Sequence, residues 1–382
     1  MSFRTVKLKD ISIIRTGKLD SNAAVINGEY PFFTCDPVTL RIDSWAYDTE
    51  AVLLAGNNAS GNYTAKYYQG KFNAYQRTYI IESIDSSILN TRFLCYAINQ
   101  QLQLLKTMSS GSTTKFLTIK MLHALDIPYP AIDRQNRIVE IVSAYDNLIE
   151  NNQKQIKLLE EAAQRLYKEW FIDLRFPGYE NTPVHDGVPE GWERASLGEL
   201  IEFNPKYAVS KEAMKRTFPM SALSTSSMVL DWSESEMNDS SSGAKFSNGD
   251  TLLARITPCL ENGKTAYVDG LSDGEVAVGS TEFIVMRSKK LNPYMVYLLA
   301  RSTDFRETAI NSMTGSDGRQ RAQVDKLKQY LAFCPRQNDI DQFECIAKPI
   351  FDQVYFLNKQ NAELKEARDR LLPKLMSGEI EV

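Results

Sequence analysis

The sequence predicts a mixed α+β chain: two similar β-rich domains separated by two long helices that pack as an antiparallel coiled coil, with pseudo-two-fold symmetry. Three observations predict this fold class. The second half of the chain repeats the first, each copy begins with short β-type runs, and each copy ends in a heptad-patterned helix. Two copies of about 190 residues are too few and too long for a solenoid, so we expect two similar domains.

The repeat consists of matched segments at a slowly growing offset. VLLA at 52–55 matches TLLA at 251–254, an offset of 199 residues. TYII at 78–81 is matched with EFIV at 282–285, an offset of 204, and the offset reaches 205 in the C-terminal helices. Small loop insertions between two copies of one unit produce such a drift.

Each copy is predicted to begin with strands and to end in a helix. Runs such as AVLLAG and EFIVM have the composition of short strands, and Gly, Asn and Ser separate them. Asn90 and Asn292 each precede an amphipathic run, so each is a predicted N-cap. Asp133 and Asp339 are predicted N-caps of the two long helices.

The long helices carry a seam of mostly apolar residues. From Ile138 to Trp170 and from Ile340 to Leu375 the seam advances by alternating steps of three and four, as in a coiled coil. Each seam holds one asparagine, Asn152 or Asn361. Either these are tolerated polar residues, or they face each other and fix an antiparallel register with a constant index sum of 513. Pro349 is predicted to kink the second helix or to start a new segment.

The amino-acid composition limits the kinds of binding and catalytic site that the chain can form. Lys and Arg total 44 against 48 Asp and Glu, and a net charge of −4 argues against binding nucleic acid by bulk charge alone. The five cysteines contain no CxxC pair and are predicted to be free thiols in a reducing cytoplasm. With only His123 and His185, no His-rich metal site or Ser–His–Asp centre is expected. No apolar run has the length of a membrane span.

Several long motifs resemble one known family. NGDTLLARITPCLENGKTAYV at 248–268, RLYKEWFIDLRFPGY at 165–179, GVPEGWE at 187–193 and LLPKLMSGEIEV at 371–382 are similar to the specificity subunit of bacterial type I restriction–modification enzymes. The resemblance covers essentially the whole chain, and its parts follow the order of target-recognition domain, helical region, target-recognition domain, helical region. VLLAGNNASG at 52–61 departs from the GDTLLARI form of the motif.

The resemblance implies a division of labour among partners. Each recognition domain would read one half of a bipartite site on double-stranded DNA, and the helices would set the gap. Two methyltransferase subunits would dock on the chain, and restriction or translocase subunits would join through the complex. No cofactor or metal is implied for this chain. The predicted boundaries are recognition domains at 1–130 and 193–335, helical spacers at 131–175 and 336–382, and a linker at 176–192.

Catalytic alternatives have little support in the residues. NPKY at 204–207 lacks the second proline of an adenine methyltransferase motif and is predicted to be a turn. SGSTTK at 110–115 lacks the spacing of a phosphate loop. A non-catalytic DNA-recognition subunit is therefore the favoured function, and a coiled-coil protein adaptor without a DNA role is the alternative.

Candidate DNA contacts are chosen by side-chain type, because amides can bind adenine, Arg and Lys can bind guanine, and cations and hydroxyls clamp phosphates. In the first domain the candidates are Asn57, Asn58, Asn62, Tyr63, Lys66, Gln76, Arg77, Ser112 and Lys115. In the second domain they are Lys206, Tyr207, Arg255, Asn262, Lys264, Ser316, Arg319, Gln320 and Arg321. The loop TGSDGRQR at 314–321 is the favoured contact, with a solvated surface loop as its alternative. Lys211, Lys215 and Arg216 are assigned to a solvated helix face.

Overall fold

A computed structural model describes residues 3–59, 61–109, 115–209, 213–316 and 318–382. The chain forms two compact units, of which unit 1 comprises residues 1–149 and 363–382, and unit 2 comprises residues 150–362. The end of the chain therefore belongs to the same unit as its beginning.

Unit 1 is built on a mostly antiparallel sheet. Its strands are β1 Thr5–Lys7, β2 Ser12–Thr16, β3 Tyr30–Phe33, β4 Leu40–Ile42, β5 Tyr47–Ala55, β6 Asn57–Asn58, β7 Ala65–Ala74, β8 Thr78–Ser83, β9 Lys115–Phe116 and β10 Asp126–Pro128. Its short helices are α1 Leu8–Ile11, α2 Thr91–Gln100, α3 Leu102–Met108 and α4 Ile119–His123, and the long α5 Ile132–Tyr167 begins here.

The central sheet of unit 1 has six strands in the order β2-β8-β5-β7-β3-β4, and only the β3–β7 pair is parallel. β5 is buried on both faces, because Val52 and Leu54 enter one apolar cluster while Leu53 enters another. The first cluster includes α2 and is completed by Leu372 and Leu375 from the end of the chain.

Unit 2 also combines β-strands with short helices. Its strands are β11 Val184–His185, β12 Val188–Pro189, β13 Glu193–Ser196, β14 Ile201–Phe203, β15 Lys215–Phe218, β16 Glu236–Asn238, β17 Ala244–Phe246, β18 Thr251–Ala254, β19 Thr265–Tyr267, β20 Ala277–Gly279, β21 Phe283–Ser288 and β22 Leu331–Cys334. Its helices are α6 Leu197–Leu200, α7 Pro293–Arg301, α8 Thr303–Asn311, α9 Val324–Lys328 and α10 Gln337–Ser377, whose last turns belong to unit 1.

Two four-stranded sheets form unit 2, in the orders β14-β21-β18-β19 and β16-β15-β20-β17. Leu253 and Ile284 face the cluster that includes α7 and the long helices, whereas Leu252 and Val285 face a cluster between the strands. The predicted N-caps of α2 and α7 are confirmed: the Asn90 side chain accepts hydrogen bonds from the amides of Arg92 and Phe93, and that of Asn292 accepts one from the amide of Met295.

The strand ladders confirm the repeat and correct its alignment by one residue. Ala55 of β5 pairs with Thr78 of β8, and Ala254 of β18 pairs with Phe283 of β21. Since Ala55 matches Ala254, the equivalent of Thr78 is Phe283, and the predicted match to Glu282 is one residue too early. The similarity of two apolar runs does not define register, although a shift of one residue exchanges the two faces of a strand.

The two long helices are confirmed. α5 continues into a π-helical turn at Lys168–Ile172, where Trp170 and Phe171 pack against Phe343 of α10. These aromatic side chains are buried.

The register prediction for the asparagines is also confirmed within unit 2. The Asn152 amide donates to Asn361 Oδ1 at 3.0 Å and to Gln360 Oε1 at 2.7 Å, and both asparagines are buried. The helices are antiparallel, because Asn152 contacts Asn361, whereas Tyr167 farther along α5 contacts Phe343 nearer the start of α10.

α10 runs through Pro349 as one helix, so the alternative that a new segment starts there is wrong. A proline removes only one backbone hydrogen bond, and the apolar seam stays packed on both sides of it. The predicted N-caps of the two long helices are wrong as well. Asp339 lies inside the first turn of α10 and Asp133 inside that of α5, so neither is the N-cap. The Asp339 carboxylate instead accepts hydrogen bonds from Trp192 Nε1 and Arg336 Nε, at 2.8 and 2.9 Å.

The structure adds three general facts. The five cysteines are free. In the described parts of the chain, no helix combines the length and apolar character of a membrane span. Those same parts contain no group of three or more His, Cys, Asp or Glu side chains arranged to hold a metal ion.

We predict that Asn152 and Asn361 are energetically coupled. Asn361→Leu leaves a buried amide with one partner fewer, so the free energy of unfolding should fall by about 1 kcal/mol. The double variant Asn152→Leu/Asn361→Leu should recover at least that loss, because two leucines can pack in the seam. Denaturant titration of the four proteins of this cycle measures the coupling. Asn151→Leu, at an exposed position of α5, is the matched control. Strict additivity of the two single substitutions would contradict the pairing.

Candidate nucleic-acid interface

In unit 1, three chain segments meet at a corner next to the central sheet. The Gly56 amide donates to the Arg77 carbonyl at 2.9 Å, and the Leu117 amide donates to the Gly56 carbonyl at 2.9 Å. The Arg77 guanidinium lies over the Phe116 ring, 5.3 Å from its centroid. We call Gly56, Arg77 and Phe116 the unit 1 corner.

The same backbone arrangement recurs in unit 2 with different side chains. The Arg255 amide donates to the Glu282 carbonyl at 2.9 Å, and the Ala322 amide donates to the Arg255 carbonyl at 2.8 Å. Arg321 donates from Nε and Nη2 to the Glu282 carboxylate, at 3.0 and 2.7 Å. We call Arg255, Glu282 and Arg321 the unit 2 corner.

The two corners differ in the chemistry they present. Glu282 occupies the position of Arg77, Arg321 that of Phe116, and Arg255 that of Gly56. A cation–aromatic contact in unit 1 is thus replaced by a two-bond ion pair in unit 2. The hydrogen bonds from Arg321 hold the pKa of Glu282 below its ordinary value, so the ion pair persists at neutral pH.

Next to the unit 1 corner, several predicted contact residues come together. Asn57 and Asn58 of β6 pair with Phe116 and Lys115 of β9, respectively. The Asn58 side chain accepts the Asn62 amide at 3.2 Å. These candidates lie at separate places in the sequence, and the short β6–β9 ladder joins them.

Lys106 of α3 joins the same group, although sequence reasoning did not select it. Its ammonium donates to Asn62 Oδ1 at 2.7 Å. A side chain at Gly61, whose φ is 73°, would come within 3.3 Å of both Lys106 and Lys115. Gly61 therefore lets the two lysines approach the loop closely. No signal in the α3 sequence distinguishes Lys106, because only the fold brings this helix beside Asn62.

The other unit 1 candidates lie elsewhere. Lys66 donates to the Asp36 carbonyl at 3.3 Å and to Thr39 Oγ1 at 3.1 Å, and burial lowers its pKa. Tyr63 is buried in the core of the unit. Gln76 is exposed next to Arg77, and Ser112 lies outside the described residues.

Unit 2 presents a concave groove beside its corner. It has a volume of about 570 Å³ and is lined by Asn204, Pro205, Lys206, Tyr207, Gly243, Ala244, Lys245, Arg255, Thr281, Phe283 and Val285. Three of these described lining residues are cations, and none of them carries a carboxylate. NPKY follows β14 in an irregular segment: the chain bends at Asn204, which has a φ of 50° and exchanges hydrogen bonds with Val285 through its amide and its side-chain oxygen.

Tyr207, which lines the groove, belongs to a network of polar contacts with Arg287 and the buried Asp250. The Tyr207 hydroxyl donates to the Asp250 carboxylate, and Arg287 stacks over the Tyr207 ring, 4.0 Å from its centroid. Arg287 Nε also donates to Asp250 at 3.4 Å. Burial raises the pKa of Asp250, and burial together with the hydrogen bond to Asp250 raises the pKa of Tyr207 to about 12. The Tyr207 hydroxyl is therefore committed to this network.

The remaining unit 2 candidates fall into two sets. Ser316 and Arg319 are exposed in the loop whose ends are closed by two backbone hydrogen bonds between Thr314 and Arg321. The Gln320 carbonyl accepts the Thr257 amide at 3.0 Å. Away from this loop, Asn262 is exposed, and Lys264 donates to the Met220 carbonyl at 3.0 Å.

The predicted solvated helix face is wrong for two of its three residues. Lys215 and Arg216 belong to β15, and Lys215 is buried, donating to the carbonyls of Ala213 and Asp239 at 2.7 and 3.1 Å. Carbonyl groups replace the water that a lysine normally requires, and charge spacing alone does not reveal them. Lys211 lies outside the described residues.

Comparisons with known proteins point in one direction. A family model described as Type I restriction modification DNA specificity domain matches residues 2–161. The Type I restriction enzyme EcoDI specificity subunit of Escherichia coli is 27% identical over 307 residues, covering 72% of this chain and 67% of that protein. The MjaIX specificity subunit of Methanocaldococcus jannaschii is 28% identical over 291 residues, covering 73% and 66%. The matched stretches span about two thirds of each relative's own length.

A solved structure shares the fold. The crystal structure of a Type-I restriction-modification system S subunit from M. genitalium matches 98% of this chain and 96% of that chain, with a TM-score of 0.62 and 14% sequence identity. The resemblance that the sequence motifs carry is thereby confirmed.

We predict that Tyr207→Phe destabilises the protein in a pH-dependent way. Without the hydroxyl donor the pKa of Asp250 rises further, so an ionised Asp250 costs more. The loss should be about 1–3 kcal/mol near neutral pH and should shrink at an acidic pH below the pKa of Asp250, where the carboxyl is protonated. Denaturant titrations at both pH values measure it.

Tyr47→Phe is the matched control, because the Tyr47 hydroxyl donates to the Thr16 carbonyl, which does not titrate. Its cost should be equal at the two pH values. An equal cost of Tyr207→Phe at both pH values would contradict the role of Asp250.

Proposed function

Because residues 2–161 match the model of the Type I restriction modification DNA specificity domain, we propose that this chain is the specificity subunit of a type I complex that reads a bipartite DNA target. Unit 1 reads one half of the site and unit 2 reads the other. The chain carries no catalysis of its own, in agreement with relatives that are named specificity subunits. The recognition domains are proposed at 1–130 and 193–335.

One observation carries the proposal of two half-sites. The same backbone corner occurs in both units, yet Arg77 and Phe116 in one stand where Glu282 and Arg321 stand in the other. A scaffold that keeps its backbone and changes its polar side chains can read two different short sequences. A protein adaptor has no need for arginines, asparagines and lysines gathered at equivalent corners.

The groove of unit 2 is suited to the DNA backbone. Lys206, Lys245 and Arg255 line it, and phosphates are bound mainly by such cations. This local concentration of positive charge reconciles DNA binding with a net charge of −4.

We propose further that the helices of the chain hold the protein partners. Two methyltransferase subunits dock there, and restriction or translocase subunits join through the complex. In support, Leu158 of α5 and Phe356 of α10 are 64% and 56% exposed within unit 2. Burying these large apolar side chains against a partner would favour docking.

The two-half-site proposal is tested with two structurally equivalent substitutions. Lys115 and Gln320 occupy the same place in their units, paired with Asn58 and hydrogen-bonded to Thr257, respectively. The full-length chain is used to select duplexes from a random library at low salt, and the selected DNA is sequenced. We expect a bipartite motif, with Lys115→Ala relaxing bases in one half and Gln320→Ala relaxing bases in the other.

A selected motif without a gap would contradict the proposal that the two units read two separate half-sites. If both variants relaxed the same bases, the assignment of one half-site to each unit would be wrong. If the wild-type chain enriched no sequence and bound no duplex, the adaptor function would be favoured instead.

A separate prediction concerns the groove. Lys245→Ala should weaken binding of the full chain to every duplex sequence about equally, because it removes a phosphate contact. The slope of log affinity against log salt should fall by about one. Lys359→Ala, at an exposed position of α10, is the control and should leave the slope unchanged. A sequence-dependent loss for Lys245→Ala would indicate a base contact instead.

A further inference from the structure

We propose that Arg321, held in place by Glu282, recognises a guanine in the half-site read by unit 2. This inference rests on the proposed function and adds the base and the side chain that reads it. Its basis is the geometry of the unit 2 corner, in which one edge of the Arg321 guanidinium is bound within the protein and another edge remains for a ligand.

The bound edge consists of Nε and Nη2, which donate to the two oxygens of Glu282. On the other edge, Nη1 makes one long hydrogen bond to the Arg319 carbonyl, at 3.4 Å. The Arg321 side chain is 41% exposed and that of Glu282 is 22% exposed. The guanidinium is therefore held by Glu282 on one edge and accessible to a ligand on the other.

The backbone beneath Arg321 is also fixed. Thr314 and Arg321 exchange two backbone hydrogen bonds, at 3.1 and 2.9 Å. The Gln323 side-chain amide donates to Thr314 Oγ1 at 2.7 Å and to the Arg321 carbonyl at 2.8 Å. An arginine whose backbone and guanidinium are both held loses little conformational entropy when it binds a base.

The chemistry of the corner favours guanine over phosphate. The major-groove edge of guanine offers two neighbouring acceptors, O6 and N7, which match two N–H groups on one edge of an arginine. A phosphate carries a negative charge, and Glu282 directly behind the guanidinium repels it. The neutral base edge meets no such repulsion. The groove lysines Lys206 and Lys245, by contrast, are available to phosphates.

The equivalent corner of unit 1 does not present this device. There Arg77 stacks on Phe116, and Gly56 stands where unit 2 has Arg255. The preference for guanine that Arg321 gives when Glu282 holds it is therefore expected in the half of the target that unit 2 reads.

The test compares duplex selection by the full-length chain carrying Arg321→Lys or Glu282→Gln. Lysine keeps the positive charge, but it has no planar set of N–H groups that can bind Glu282 on one edge and O6 and N7 on another, so it should bind guanine less selectively than arginine. Arg321→Lys should lower discrimination for guanine at one position by about tenfold or more, while affinity for random-sequence duplex stays within about twofold. Glu282→Gln should weaken the same preference and raise affinity for random-sequence duplex, because it removes a negative charge next to DNA.

Arg194→Lys is the matched control, since Arg194 lies on β13 in a separate two-stranded sheet, where it contacts Phe333. It should leave the selected motif unchanged. Thermal unfolding of each variant shows whether it is folded.

If Arg321→Lys retained the guanine preference, or lowered affinity for all sequences equally, the guanine assignment would be overturned. A wild-type chain that selects a bipartite motif without guanine in the half that responds to Gln320→Ala would also overturn it, leaving the proposed function intact. A wild-type chain that selects no motif would refute both.

Discussion

The register of the two long helices is the constraint on which both cores depend. In unit 2 a buried amide pair, Asn152 with Asn361, pins α5 against α10. A polar pair in an apolar seam is satisfied in one register only, because any slip leaves two buried amides without partners. In unit 1 the last turns of α10 supply Leu372 and Leu375 to the core, and Arg368 donates to Asp146 at 2.8 Å. A helix rotates by about 100° per residue, so a slip would turn these leucines away from the core.

Each unit also carries a corner. The backbone hydrogen bonds of the two corners are equivalent, but their side chains differ. The conserved part is a set of main-chain hydrogen bonds between a strand end, the residue before the next strand, and a loop returning from the helices. Main-chain bonds place few demands on side-chain identity. The side chains at these positions are therefore free to differ, as the exchange of Arg77 and Phe116 for Glu282 and Arg321 illustrates. The fold thus separates the main-chain bonds that hold the corner from the side chains that we propose read DNA.

The charged groups around the unit 2 groove are also arranged so that its acidic side chains have partners within the protein. Three cations line the groove of unit 2, and the one carboxylate of its corner is bound to an arginine. Asp250, buried behind the groove wall, is satisfied by Tyr207 and Arg287. Acidic groups near the proposed DNA surface are thus neutralised by partners within the protein, so a chain of net negative charge still presents a locally positive surface.

Sequence patterns predicted those features that follow from local periodicity or from pairing rules. The 3–4 spacing predicted the long helices, the two seam asparagines predicted their register, and Asn90 and Asn292 predicted two helix starts. The same reasoning placed the match of Thr78 one residue too early and made Lys215 a surface residue, because strand register and burial depend on distant partners. It selected Asn62 and Lys115 but not Lys106, which joins them only through the packing of α3.

The sequence by itself therefore determined the duplicated architecture, the helical register and the kinds of side chain available to DNA, because repeats, heptads and side-chain chemistry are properties of the chain alone. Only the tertiary structure decided which polar groups meet. It showed that the Tyr207 hydroxyl is bound to Asp250, that Arg321 is held by Glu282, and that three cations share one groove. The physical reason is that hydrogen bonds and ion pairs act over a few ångströms, whereas their partners here are separated by tens of residues in the chain.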